Sequence, residues 1–325
     1  MALVFNKIMA KVSIIVPVYN VEKYIKRSLD SLINQTFSDI EIIVINDGST
    51  DNSLNIIETF KDERIRLYSQ DNKGGSAARN LGVDKSTSDY IMFLDADDYY
   101  HLDCVEKAYK CITEENTDIC IYGSRFVDDE GNYTKSIIPN HGTIKNISDD
   151  KSYLLNIENC TWDKIYKSSI IKDNNVVYPY GLYYQDFGFT FSLMRFVKSI
   201  SFVNEELIEY TVGRSGNITG DVSKKVFDIF KIIDFIKDLY IDKKIYDDYF
   251  DELKSVFLIN IIDKLKQVVR SKNSDIKEEF IDTYFNYIEK ELGGFDTKYK
   301  ISKHKHDFVY LDKNILKLYM FIKRC

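Results

Sequence analysis

Apolar and polar positions alternate in blocks along the first 125 residues. Nearly continuous apolar runs stand at 12–19 (VSIIVPVY), 40–45 (IEIIVI) and 89–94 (DYIMFL), with a more mixed run at 64–69 (RIRLYS). Runs that are apolar on both faces predict buried strands. The segments between them carry apolar residues at helical spacing, and the stripe at 21–34 consists of Val21, Tyr24, Ile25, Leu29, Leu32 and Ile33. Four strand–helix units in succession predict an α/β fold, with a mostly parallel sheet covered by helices on both faces.

Polar residues follow each of these predicted strands at its carboxyl end. They are, in chain order, Asn20, Asp47, Asn72 with Lys73, and the acidic group Asp95, Asp97 and Asp98. Right-handed crossovers bring the carboxyl ends of such strands to one edge of the sheet, where open α/β folds bind their ligands. Turns that serve only the fold would require Gly, Ser or Asn without the repeated acids. The pattern therefore predicts a binding site at this edge.

The acidic group lies in the stretch FLDADDYY, where three carboxylates repel one another unless a cation or polar ligand lies among them. Asp95 and Asp97 are separated only by Ala96, so both can reach one small volume. Oxygen ligands suit Mg²⁺ or Mn²⁺, and such a cation usually completes its coordination with substrate phosphates and water. The alternative is an Asp-rich N-cap, with Asp98 capping a helix that begins near Leu102.

Composition and charge exclude several classes of protein. The 325 residues are 44% hydrophobic and 29% charged, which is typical of a globular protein with room for two domains. The net charge is −7, yet residues 298–325 carry eight Lys or Arg against two Asp. The acidic remainder argues against nucleic-acid binding. The basic tail permits peripheral contact with anionic lipid or a phosphorylated acceptor, or is a solvated end that aids solubility.

Cysteine usage and hydropathy predict a cytoplasmic protein. The odd number of cysteines and the lack of a CxxC spacing disfavour a disulfide framework and a zinc site; they are Cys104, Cys111, Cys120, Cys160 and Cys325. The first apolar run is too short for a signal peptide, and no run approaches 18 apolar residues, so we predict no membrane-spanning segment.

Beyond residue 118 the pattern loosens and then becomes helical. DICIYGSRFV predicts one more strand and DDEGNYT a polar hairpin. From about residue 222 apolar side chains recur at helical spacing, so we predict one domain at 1–220 and a helical C-terminal region at 221–325. Amphipathic helices normally pack on their own domain or on a second subunit, as in a homo-oligomer. Basic flanks also permit attachment at the inner face of a membrane.

Four motifs of the first half, VPVYN, INDGSTD, NKGGSAARN and FLDADD, resemble in order and spacing the inverting family 2 glycosyltransferases of the GT-A fold. Further on, WDKIYKSSII, YYQDFGF and YTVGRSGNIT resemble the acceptor-side segment, the catalytic motif and the donor-closing loop of that family. The resemblance implies a Rossmann-like GT-A domain with a nucleotide-binding half at 1–125 and an acceptor and catalytic-base half at 126–220. It also implies a UDP-sugar donor, Mn²⁺ or Mg²⁺, and a glycan or lipid-linked acceptor in bacterial capsule, exopolysaccharide or lipopolysaccharide synthesis.

The resemblance further implies a role for each matching residue. Those expected around the base, the ribose and the rest of the nucleotide are Pro17, Tyr19, Asn20, Asp47, Asn72 and Arg79. Asp95 would meet the ribose or the metal, and Asp97 would hold the metal on the diphosphate. Arg214, with Lys164 as a partner, would offset charge on the departing diphosphate. Asp186 would be the general base, and the residues expected on the acceptor side are Trp162, Lys164 and Gln185.

The chemistry of inversion explains why a carboxylate is needed at residue 186. A single displacement requires a base opposite the leaving group to accept the proton of the acceptor hydroxyl, which is typically worth about 10²- to 10⁴-fold in rate. The family usually has Glu before this Asp, whereas Gln185 cannot ionise and can only hydrogen-bond. This departure leaves open a non-catalytic protein that binds nucleotide sugars. A sugar nucleotidyltransferase is disfavoured, because PVYNVEKY replaces the Gly-rich loop that it needs after the first strand.

Trp162, the only tryptophan, is open to two interpretations. An indole ring can serve as a platform on which a sugar stacks, or as an anchor in the core.

Overall fold

The computed structural model describes residues 10–213, 223–271, 276–301 and 307–322. The chain divides into two compact units. The first, called here the sheet unit, comprises Met1–Ser148, Asn159–Gly181 and Phe189–Asn217. The second, the helical unit, comprises Asp149–Glu158, Leu182–Gly188 and Ile218–Cys325. Two segments before residue 220 thus group with the C-terminal helices, and the domain boundary drawn there from the sequence stays a prediction.

The sheet unit is built on a mixed sheet, which contains nine strands among the described residues. The strands are β1 (Val12–Val18), β2 (Ile40–Asp47), β3 (Ile65–Gln70), β4 (Tyr90–Phe93), β5 (Tyr99–Tyr100), β6 (Ile119–Val127), β7 (Tyr133–Ile137), β8 (Lys164–Lys167) and β9 (Ile200–Thr211). Their order is β3-β2-β1-β4-β8-β6-β9-β5, and β7 pairs with β6. Strands β1 to β4 are mutually parallel, as predicted, whereas β8 is antiparallel to both β4 and β6. The α/β class is confirmed.

Helices flank this sheet, and the first four of them lie where the strand–helix units predicted helices, whereas the fifth was not predicted. They are α1 (Ile25–Ile33), α2 (Ser53–Thr59), α3 (Gly75–Lys85), α4 (Cys104–Glu114) and α5 (Ser168–Lys172). α6 (Gln185–Met194) begins in the helical unit and continues in the sheet unit. Ile15 of β1 is fully buried, and a Cβ added to Gly82 of α3 would lie 2.3 Å from its Cγ2 atom. The small residue therefore allows α3 to approach the central strand closely.

The helical unit has a core of its own, rich in aromatic rings. Its longer helices are α7 (Asp228–Asp242), α8 (Phe250–Arg270), α9 (Lys277–Leu292) and α10 (Lys313–Ile322). Phe257, Phe280 and Tyr284 are fully buried, and the rings of Phe230 and Phe280 lie 5.4 Å apart. The predicted apolar stripes thus pack within their own unit. Among the described residues, no helix is long and apolar enough to cross a membrane.

Candidate functional site

The parallel pairing of β1 to β4 brings their carboxyl ends to one edge of the sheet, and Asn20 links two of the loops there. Asn20 has a positive φ of 51°, which asparagine tolerates better than most residues. Its Oδ1 accepts hydrogen bonds from the backbone N–H groups of Thr50 (2.7 Å) and Asp51 (3.3 Å). Its own N–H donates to Ser49 Oγ at 3.2 Å. The loop after β1 is therefore tied to the loop after β2.

Asp47, at the end of β2, is hydrogen-bonded to the loop after β3. The side chain is buried, and its Oδ1 accepts from Gln70 Nε2 (2.7 Å) and from the N–H of Lys73 (2.9 Å). Its Oδ2 accepts from the N–H of Gly74 at 2.8 Å. Three donors thus surround one carboxylate, which fixes the backbone that leads into α3. Asp47 and the loop after β3 thus lie at the edge of the sheet where the sequence predicted a binding site.

Other residues predicted for the nucleotide lie at the same edge with more exposed side chains. Tyr19 is 47% exposed, and Asn72 is also exposed, whereas Pro17 is half-buried near the end of β1. Gly48 has a φ of +69°, and a Cβ there would come within 2.8 Å of the Asn72 nitrogen. Only glycine fits this close approach without strain. Tyr19 and Asn72 are placed where a ligand could reach them, and their roles stay predictions.

Arg79 and Asp95 form an ion pair that the sequence did not indicate. Arg79 Nη2 of α3 lies 2.5 Å from Asp95 Oδ1, and the arginine side chain is almost fully buried. The guanidinium also lies 5.5 Å from the ring centroid of Tyr178. One of the three clustered carboxylates therefore has a cationic partner within the protein, which lowers the repulsion among them. Arg79 thus orients Asp95, and its predicted position against the nucleotide stays a prediction.

Asp98 does not cap a helix, so that alternative is wrong. The residue is fully buried, and its Oδ1 accepts from the backbone N–H of Thr211 at 2.8 Å. Helix α4 begins at Cys104, with Asp103 at its N-cap position and no side-chain capping hydrogen bond. Asp98 instead joins the acidic turn to β9, because a buried carboxylate requires a donor close by.

The turn that carries Asp97 is fixed by two residues that sequence reasoning missed. The Asp97 carbonyl accepts from Arg27 Nη2 (3.0 Å) and from Thr211 Oγ1 (2.7 Å). The Arg27 guanidinium also donates to Thr211 Oγ1 at 3.0 Å and lies 4.3 Å from the ring centroid of Tyr99. Arg27 follows Lys26 on the polar side of α1, so nothing in the local pattern marks it. The contact depends on α1 lying beside the turn, which only the fold determines.

The carboxylates of Asp95 and Asp97 suit a divalent cation by their chemistry. Both side chains are half-buried, so a cation can approach them from solvent. Among the described residues, however, no group of three or more His, Cys, Asp or Glu side chains could hold a metal ion. Mg²⁺ and Mn²⁺ sites with few protein ligands take their remaining oxygens from substrate phosphates and water. The residues therefore fit a cation that arrives with a diphosphate, and they do not form a complete metal site by themselves.

Trp162 and Lys164, predicted on the acceptor side, lie inside the sheet unit. The indole of Trp162 is 7% exposed and stacks on Tyr210, with ring centroids 4.8 Å apart. This placement favours a core anchor over a sugar platform. Lys164 is 1% exposed, and its ammonium donates to the Cys160 carbonyl at 2.7 Å and pairs with Asp163. An ammonium engaged in this way is disfavoured as a partner for a departing diphosphate. Its expected companion Arg214 lies outside the described residues.

Gln185 and Asp186 begin helix α6, and both side chains are half-buried. Asp186 lies in the first turn of the helix, where the peptide dipoles favour negative charge. The segment Leu182–Gly188 that carries both residues belongs to the helical unit. Their roles in acceptor binding and proton transfer stay predictions.

Comparison with known proteins agrees with the motifs. A model of the family described as Glycosyl transferase family 2 matches residues 13–173. GlyA, a glycosyltransferase of Streptococcus pneumoniae serotype 4, is 33% identical over 222 residues, which are 64% of this chain and 31% of GlyA. The chain belongs to glycosyltransferase family 2. The match spans about a third of the length of the curated relative GlyA.

A second relative supplies both a sequence and a structure. The poly(ribitol-phosphate) β-N-acetylglucosaminyltransferase TarS of Staphylococcus aureus (strain Mu50) is 27% identical over 258 residues, covering 77% of this chain and 44% of TarS. The crystal structure of S. aureus TarS 1–349 in complex with UDP-GlcNAc superposes with a TM-score of 0.74 at 22% identity, covering 86% of this chain and 81% of that one. At this identity the likeness shows the fold, and the predicted GT-A fold with additional C-terminal helices is confirmed.

Proposed function

We propose that this family 2 member transfers a hexose or N-acetylhexosamine from a UDP-sugar to a hydroxyl group of a glycan or lipid-linked saccharide, with inversion, in the synthesis of a bacterial surface polysaccharide. The observation that carries the proposal is the edge of the sheet where Asn20, Asp47 and the Asp95–Asp97 turn converge, each held by hydrogen bonds. The UDP-GlcNAc complex of TarS, which shares the fold, supports a UDP-sugar donor.

The donor would bind to side chains that the loops already orient. A carboxylate has about four acceptor positions, and Asp47 uses three of them for donors at the end of β3 and in the loop after it, which leaves one for the imide N–H of uracil. Asn72 would supply a second hydrogen bond to the base. The exposed ring of Tyr19, with Pro17 and Asn20, would frame the base and ribose. Pre-ordered loops lower the entropy cost of binding.

Asp97, together with Asp95, would hold Mn²⁺ or Mg²⁺ on the diphosphate. When bound, such a cation neutralises the negative charge that develops on the leaving diphosphate. The protein contributes the orientation of the two carboxylates: Arg79 fixes Asp95, while Arg27 and Thr211 fix the turn at Asp97. Arg214 is proposed as a further positive charge near the departing group.

Asp186 would act as the general base. The acceptor hydroxyl oxygen forms a bond to the anomeric carbon while the bond from that carbon to the diphosphate oxygen breaks, and UDP departs with the electron pair. The hydroxyl proton passes to the Asp186 carboxylate, and the configuration inverts in a single step. Gln185 would hydrogen-bond the acceptor and thereby align its hydroxyl.

The test is release of UDP from a panel of UDP-sugars with Mn²⁺ or Mg²⁺, with and without saccharide acceptors. Asp97→Asn and Asp186→Asn should each abolish most turnover, whereas Asp238→Asn, at an exposed position of α7, should leave it unchanged. Binding of UDP without turnover of any donor would favour the non-catalytic alternative that Gln185 raises. Formation of UDP-sugar from UTP and a sugar 1-phosphate would instead show a nucleotidyltransferase.

A further inference from the structure

The helices that follow the catalytic motif make direct contact with it inside the helical unit. Leu182–Gly188 carries Gln185 and Asp186, and it groups with Ile218–Cys325. None of the family motifs lies in α7, α8 or α9, so the sequence assigned these helices no part in catalysis. The contacts that they make to Leu182–Gly188 are specific and surround the two functional residues.

The first contact is a hydrogen bond to the backbone just before the motif. The N–H of Tyr183 donates to Asp228 Oδ2 at 3.1 Å. Asp228 is the first residue of α7, is 8% exposed, and also accepts from Lys231 Nζ at 2.8 Å. The Tyr183 hydroxyl in turn accepts a hydrogen bond from Lys225, whose ammonium lies 4.4 Å from the centroid of the ring. The first residue of α7 thus holds the backbone of Tyr183, and Lys225, three residues before α7, holds its side chain.

The second contact involves Tyr184, the residue immediately before Gln185. Its φ is +61°, a left-handed conformation that residues with a Cβ adopt only where the surroundings hold them. The ammonium of Lys264 from α8 lies 4.5 Å from the centroid of the Tyr184 ring. Burial raises the pKa of Tyr184 to about 12, so its phenol is neutral, and burial lowers the pKa of Lys264. The cation–π contact holds the ring against α8.

The third contact lies on the other side of the motif. Phe187 is 2% exposed, and its ring packs edge-on against Phe257 of α8, with centroids 6.4 Å apart. The N–H of Gly188 donates to the carbonyl of Tyr184 at 3.2 Å, which forms the first turn of α6. Gln185 and Asp186 therefore stand between two anchored positions, with Tyr183 and Tyr184 before them and Phe187 after them.

We propose that α7 and α8 are part of the catalytic apparatus, with Asp228 and Lys264 as positioning residues that set the backbone and orientation of Asp186. The inference rests on the proposed role of Asp186 as general base. A base displaced by about 1 Å can cost about 10²-fold in rate, whereas UDP is bound by loops of the sheet unit. Loss of either positioning residue should therefore lower kcat and leave the affinity for UDP unchanged.

The experiment compares Asp228→Ala with Asp234→Ala, a matched variant on the same helix. Asp234 accepts a hydrogen bond from the Tyr287 hydroxyl at 2.6 Å, so each change removes a hydrogen-bonded carboxylate of α7. Hydrogen–deuterium exchange of residues 182–190, kcat for UDP release and UDP affinity by calorimetry are measured on both. We expect Asp228→Ala to accelerate exchange in this segment and lower kcat about 10- to 100-fold, with UDP affinity within about twofold. Asp234→Ala should change none of the three.

Two further pairs separate positioning from general loss of stability. Asp228→Asn keeps an acceptor for the Tyr183 N–H and should restore both exchange protection and kcat. Lys264→Met should lower kcat and Lys264→Arg should retain it, because a guanidinium also stacks on a tyrosine ring. Equal exchange in Asp228→Ala and Asp234→Ala would overturn the inference, as would faster exchange with unchanged kcat. Full activity in Asp186→Asn would instead refute the proposed base itself, whatever the exchange data show.

Discussion

The two units hold their candidate functional segments by different means. In the sheet unit, polar side chains accept hydrogen bonds from loop backbones, as Asn20 and Asp47 do. In the helical unit, one such hydrogen bond runs from the Tyr183 N–H to Asp228, and aromatic rings make most of the other contacts to the segment with Asp186, with the ammonium of Lys264 over Tyr184 and Phe187 against α8. Short polar loops of the first kind leave compact motifs in a sequence. Ring contacts of the second kind join residues far apart in the chain and leave none.

The largest expected effect tests whether the chemistry depends on the helical unit. Asp186→Asn keeps the size of the side chain and removes its capacity to accept a proton. We expect kcat for UDP release to fall about 10²- to 10⁴-fold, which is the usual worth of general-base help. UDP affinity and the unfolding midpoint should stay at the wild-type values. A loss of UDP affinity equal to the loss of turnover would show that this residue serves donor binding.

A somewhat smaller effect is expected in the sheet unit. Asp97→Asn should lower kcat about 10²- to 10³-fold, because a group that offsets charge on the leaving diphosphate is lost. The Mn²⁺ concentration that gives half-maximal turnover should be higher for Asp97→Asn than for wild type, whereas Asp186→Asn should keep the wild-type value. The contrast between the two metal titrations is the measurement. Identical titrations for both variants would contradict the division of roles.

Much of the sheet unit could be predicted from the sequence, and the reasons are local. Strands β1 to β4 are short apolar runs with polar ends, and parallel pairing follows from the alternation with helices. The antiparallel β8 was not predicted, because the four residues Lys164–Lys167 owe their place between β4 and β6 to pairing across long stretches of chain. The positions of Asp47 and Asp95 at the sheet edge were predicted.

The anchors of the site were not predicted, and distance along the chain explains this. Arg27 meets the carbonyl of Asp97, 70 residues away, and Asp228 accepts from Tyr183, 45 residues away. Charged residues near helix starts are common, and neither position carries a local pattern that distinguishes it. The motif showed which residues would react, and only the fold shows which residues hold them.

A moderate effect is expected where a side chain orders a loop of the donor site without taking part in the reaction. Asp47→Ala removes the acceptor of the Lys73 and Gly74 N–H groups and leaves those donors without a partner in the loop. We expect a loss of about 1 to 3 kcal/mol in the free energy of unfolding, measured in urea, and weaker UDP binding by calorimetry. Asp62→Ala is a suitable comparison, because it also removes a carboxylate hydrogen-bonded to a backbone N–H, that of Arg64. That variant should lose stability and keep its affinity for UDP.

The smallest effect is a pH dependence of opposite sign in the two units. Burial by itself would raise the pKa of Glu41 in β2, but hydrogen bonds from Ser13, Thr87 and Arg66 outweigh it, and the pKa lies below its ordinary value of 4.5. In the helical unit, burial raises the pKa of Asp234 above its ordinary value of 3.8, and the hydrogen bond from Tyr287 only partly opposes this. Hydrogen bonds thus outweigh burial at Glu41, whereas burial outweighs the hydrogen bond at the half-buried Asp234.

The signs follow from proton linkage. Glu41 binds protons more weakly in the folded state, so its stabilisation is complete above pH 4.5 and is lost as the pH falls through the folded pKa. Asp234 binds protons more tightly when folded, so its contribution is complete below pH 3.8 and is lost as the pH rises through the folded pKa. Urea unfolding of wild type, Glu41→Gln and Asp234→Asn across this acidic range is the measurement. The advantage of wild type over Glu41→Gln, about 1 kcal/mol near neutral pH, should shrink on acidification, whereas its stability relative to Asp234→Asn should grow. Parallel trends for the two variants would contradict this difference between Glu41 and Asp234.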